Sequence, residues 1–79
     1  MLQSQGESEE AINHLRRALQ IKPDYASAHN NLANILLSQG NIDGAIEHYR
    51  QALKIEPNNK TIRNNLEAVL KFKSEQSPD

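Results

Sequence analysis

The residues best suited to chemistry in this chain are three histidines, His14, His29 and His48, and five asparagines, Asn30, Asn31, Asn34, Asn64 and Asn65. Imidazoles can hold a metal or move a proton; side-chain amides can pair with a peptide backbone, each offering one acceptor oxygen and two donor hydrogens. A zinc site needs ring nitrogens at about 2.0–2.1 Å and further ligands. His14 and His48 stand 34 residues apart and there is no cysteine to complete a set. His14 and His48 are therefore expected as polar surface residues, His29 as a partly buried packing residue, and no metal is expected. No nucleophile–base pair, glycine-rich phosphate loop or paired carboxylates in an apolar setting can be picked out. Catalytic residues and cofactors are accordingly expected to be absent. The asparagines differ: the pairs Asn30-Asn31 and Asn64-Asn65 repeat at the same phase. Asparagine is a mediocre helix former, so its repeated use calls for a reason beyond propensity.

The elements that position these residues are set by an internal repeat. Pro23 and Pro57 are 34 residues apart, as are Gly6 and Gly40, and Ser4–Asp24 aligns with Ser38–Asn58 at 11 identities in 21 residues. A fixed period of roughly 20–50 residues marks stacked units, none of which buries its own apolar face alone. Strand signals are missing, while apolar residues recur at helical spacing in four stretches, Glu9–Ile21, Tyr25–Gln39, Asp43–Ile55 and Lys60–Phe72. Pro23 and Pro57 end the preceding helices, and Asp24 and Asn58 are expected to cap the next ones. Gly6 and Gly40 are expected where a helix ends and reverses, with Asn41 capping the helix after Gly40. The predicted fold class is all-α, stacked antiparallel helical hairpins.

Bulk properties exclude several functions. The 79 residues suffice for one small domain, which buries about 60% of its unfolded surface. Nine basic and ten acidic residues are interspersed, leaving no basic patch to draw in nucleic acid. No apolar run approaches the roughly 20 residues that span a bilayer, and the N-terminus lacks signal-peptide features. The expected partners are thus neither nucleic acid nor membrane, and the expected location is the cytoplasm.

With Ala26 as first position of a unit ending at Asn59, the chain resembles the tetratricopeptide repeat family. Leu32, Ala33 and Leu36 fill its large, small and large first-helix positions; Gly40 falls at the turn; Ala45, Tyr49 and Ala52 match the second helix; Pro57 closes the unit. His29 departs from the tryptophan common there. The resemblance implies a domain over 1–73: a partial repeat at 1–23 lacking most of its first helix, a complete repeat at 26–59 and a capping helix at 60–73. A disordered tail is expected over 74–79. In an intact unit the position of Ala33 must be small; its counterpart Glu67 implies a solvated cap, so the C-terminus is expected to be natural and the N-terminus cut.

In this family the first helices line a concave groove, the usual ligand surface. The resemblance carries that role to Ser27, Asn30, Asn31, Asn34, Leu37 and Ser38, and to Thr61, Asn64, Asn65, Ala68, Lys71 and Phe72. Chaperone-binding members clamp a C-terminal carboxylate with lysines and arginine; here those positions hold Asn30, Thr61 and Asn65, which argues against such a clamp. The wording Asn-Asn-Leu-Ala-Asn-Ile is instead similar to the superhelical repeats of O-linked N-acetylglucosamine transferases, where asparagines at the positions of Asn31 and Asn65 form a ladder along a bound peptide. The implied function is a protein- or peptide-binding module without catalysis. Two alternatives are a substrate-recruiting segment of a glycosyltransferase and a self-associating scaffold, a homodimer through an open stripe of Ala11, Leu15 and Ala18.

Overall fold

The computed structural model describes residues 4–76, with side chains from Glu7 onward. Four helices succeed one another: α1 (Ser4–Ile21), α2 (Ala26–Ser38), α3 (Ile42–Ile55) and α4 (Lys60–Gln76). Each packs on the next, with α2 and α3 in the most extensive contact. The result is a slab of 39 × 36 × 17 Å. The core is built from small residues alternating with large ones. Ala33, Ala45 and Ala52 are fully buried beside Leu32 and Tyr49, and this alternation lets α2 and α3 approach closely while the larger side chains fill the space between. Ile12 from α1 and Ile62 and Val69 from α4 extend the same cluster outward.

The two proline turns are built alike. The Tyr25 N–H donates to the Lys22 carbonyl at 3.2 Å and the Asn59 N–H to the Glu56 carbonyl at 3.1 Å. Pro23 and Pro57 thus occupy the second position of a four-residue turn, where their fixed φ fits. Asp24 and Asn58 fall at the third position, so neither is the cap expected of it. The caps lie one residue later. Asn59 accepts from the Ile62 N–H at 3.1 Å, whereas Tyr25 makes no side-chain cap bond.

At the α2–α3 reversal Gly40 adopts φ +85°. The Gly40 N–H donates to the Leu37 carbonyl and the Asn41 N–H to the Leu36 carbonyl, a Schellman closure. Asn41 then caps α3 by accepting from the Gly44 N–H at 2.9 Å. Gly6, expected to make the same turn, instead lies inside α1. Glycine in a helix costs only about 1 kcal/mol, which the packing of the rest of α1 offsets. The other end differs too: α4 continues to Gln76, so Ser74–Gln76 belong to the helix and not to a tail, while 77–79 lie outside the described residues. Lys73 pairs with Asp43 at 2.5 Å, tying the last turns of α4 to the start of α3 beyond the point where the apolar period stops.

Candidate functional site: the asparagine row on α2 and α4

The first-helix equivalents α2 and α4 are joined by a direct amide–amide bond. Asn65 Nδ2 donates to Asn30 Oδ1 at 3.1 Å. Both residues are half-buried, while Ser27, Asn31, Asn34, Ser38, Thr61, Asn64, Ala68, Lys71 and Phe72 are exposed and Leu37 is half-buried. The bond aligns the two asparagine pairs across the helices and uses one donor and one acceptor. The remaining amide groups of that pair, with those of Asn31 and Asn64, stay on the surface.

Asn34 has a structural tie as well. The hydroxyl of Tyr49, a residue 1% exposed, donates to Asn34 Oδ1. Burial pushes the Tyr49 phenol above its ordinary value of 10.0. The bond satisfies a hydroxyl that would otherwise be buried without a partner, and it aims the Asn34 amide nitrogen outward.

Of the expected groove residues, Leu37, Ser38, Ala68, Phe72, Asn31 and Asn34 line two separate hollows, and the others line neither. Leu37, Ala68 and Phe72 line an apolar hollow with Ile42 and Val69. Asn31 and Asn34 line another with Ala11, His14, Leu15 and Ile35. Two sites that the sequence kept apart, the asparagine face and the α1 stripe, thereby share one concavity. The stripe is less open than expected: Ala11, Leu15 and Ala18 are all half-buried, and Leu15 packs against the core. Glu67 is exposed, and Leu66 on the same helix is half-buried against the core.

The histidines divide differently from the expectation. His14 is exposed and His29 is buried, but His48 is not a simple surface residue. It is half-buried, with its Nδ1 3.1 Å from His29 Nδ1. The two face each other across the α2–α3 hairpin, a pairing that the 34-residue period does not signal because it lies within one unit. Among the described residues no three His, Cys, Asp or Glu side chains gather as a metal would require. None of the described helices is long and apolar enough to cross a membrane.

A family model described as TPR repeat matches residues 1–40, and one described as tetratricopeptide repeat matches residues 26–59. The chain belongs to the tetratricopeptide repeat family, whose repeats mediate protein–protein interaction and serve as scaffolds more often than as catalysts. No curated protein matches it.

Proposed function

We propose that the chain binds an extended peptide segment of a protein partner along α2 and α4, with the asparagine amides pairing to the peptide's backbone. The observation that carries this reading is the Asn65–Asn30 bond, which supports a continuous row of amides across the two helices. A backbone presents N–H and C=O groups whatever its side chains, and asparagine complements both. Thr61, Asn64 and Asn65 supply no cation at that end of the row, which favours an internal peptide stretch over a terminal carboxylate. The apolar hollow at Leu37, Ala68 and Phe72 gives such a segment a place for one apolar side chain. The likeness to the repeats of O-linked N-acetylglucosamine transferases bears on this mode of binding and not on catalysis. A peptide selected from a random-sequence display library provides the test. Replacing Asn31 and Asn65 together by alanine should weaken it by about 1–3 kcal/mol, two bonds at about 0.5–1.5 each. That is roughly five- to 150-fold in Kd. Unchanged affinity would refute the reading.

A second reading, self-association through α1, is favoured by the apolar part of the concavity at Ala11, Leu15 and Ile35. Apolar surface of this kind is a site of association when it is extensive.

A further inference from the structure

His29 and His48 form a hydrogen-bonded chain whose proton positions are fixed by chemistry. His29 Nε2 lies 3.2 Å from the Pro23 carbonyl. A carbonyl only accepts, so Nε2 carries the hydrogen. The equivalent residue one unit later is Arg63, whose Nη2 donates to the Pro57 carbonyl at 3.0 Å. A guanidinium has no acceptor, so the repeated device is a donor tying the proline turn to its following helix. With Nε2 protonated, neutral His29 presents a bare Nδ1 to His48 Nδ1, 3.1 Å away. His48 must therefore carry its hydrogen on Nδ1. The ring centres are 5.3 Å apart and the rings inclined by 29°. That separation exceeds the nitrogen–nitrogen distance by about one ring width, so the rings meet edge to edge along the bond and not face to face.

Such a chain accepts one proton and resists a second. The first is shared by the pair and leaves a single N–H between the two Nδ1 atoms, now as a charge-assisted bond. A second would set two N–H groups against each other across the 3.1 Å between the rings. We propose that His29, His48 and the Pro23 carbonyl form a latch joining the α1–α2 turn to α3, closed while the pair holds at most one proton and opened in acid when each ring carries its own. The latch sits beside Asn30, so opening it loosens the first turn of α2, where the asparagine row begins.

The charged surroundings reinforce acid sensitivity. Burial lowers His48 below its ordinary value of 6.5, as do the nearby charges of His29 on α2 and Arg16 on α1, while Glu47 on α3 opposes them. A folded value below the unfolded one means the unfolded chain binds more protons in that interval. The unfolded chain can charge both rings while the closed pair takes up only one proton, so the latch's stabilisation is complete above about pH 6.5 and is lost progressively below it.

Two measurements test this. Long-range proton–nitrogen NMR of the imidazoles at pH 8 should show His29 as the Nε2–H tautomer and His48 as the Nδ1–H tautomer; His48 as Nε2–H would overturn the proposal. Urea unfolding between pH 8 and pH 5 should then compare the protein with His48→Gln, whose amide can donate to His29 but cannot titrate. Below pH 6.5 the unfolding constant of the protein should rise more steeply than that of His48→Gln, by up to tenfold per pH unit for one linked proton. Equal slopes would overturn the proposal. If His48→Gln does not fold, the tautomer measurement on the unaltered protein decides alone.

Discussion

Removing either end of the Tyr49–Asn34 bond should cost stability unequally. In Tyr49→Phe the ring stays in place and the donor is lost. Asn34 is exposed, so its freed carbonyl meets water, and the cost is about 0.5–1.5 kcal/mol for one neutral hydrogen bond. In Asn34→Ala the hydroxyl of a residue 1% exposed is left without a partner, at about 1–3 kcal/mol, offset by about 0.5 kcal/mol because alanine is the better helix former. Asn34→Ala should thus be the more damaging change. Thermal unfolding followed by far-UV circular dichroism resolves the difference, since about 1 kcal/mol shifts Tm by roughly 4–8 °C in a domain of this size. The double variant should lose less than the sum of the two single losses, because both remove the same bond. If Asn34→Ala costs no more than Tyr49→Phe, water reaches the hydroxyl once Asn34 is trimmed, and the claim that Asn34 holds a structural bond is refuted.

Burial and exposure set the remaining expected outcomes. Glu67→Ala should change stability by no more than about 0.5 kcal/mol in urea unfolding; a loss of several kcal/mol would show a buried, paired carboxylate. Leu32→Ala, at a fully buried site, should cost about 2–5 kcal/mol, and Leu66→Ala, half-buried, should fall below it. Sedimentation should show dimers at micromolar concentration, shifted toward monomer by Leu15→Lys; a monomer at high concentration with melting independent of dilution would rule out association through α1. Asn59→Ala should cost about 1 kcal/mol through the lost cap, measured by thermal melting.

The helices and their stacking were legible because the period of small residues is a packing requirement. Ala33, Ala45 and Ala52 are buried to the last atom, and anything larger there would push α2 and α3 apart. Gly40 was legible for the same kind of reason, since the Schellman closure demands its positive φ. The caps shifted by one because the proline turn consumes four residues, and composition alone does not say which polar residue after proline ends the turn. Helix α4 outran its apolar pattern because Glu75 and Gln76 are good helix formers and the Lys73–Asp43 pair holds the approach to them. The His29–His48 pair and the Asn65–Asn30 bond were not legible. Each joins residues at different positions of the repeat, where a period compares only like with like.

Recognition of a peptide backbone by the asparagine row is tested most directly by a backbone N-methylation scan of a selected peptide, set beside an alanine scan of the same peptide. N-methylation removes a backbone donor and leaves the side chain in place. Methylation at the positions over Asn31, Asn64 and Asn65, whose amide oxygens can accept from a peptide N–H, should lower affinity roughly tenfold or more, consistent with about 1.4 kcal/mol, while alanine at those positions changes it little. Affinity that survives methylation along the whole peptide but collapses on alanine substitution would mean that side chains are being read, and would contradict it.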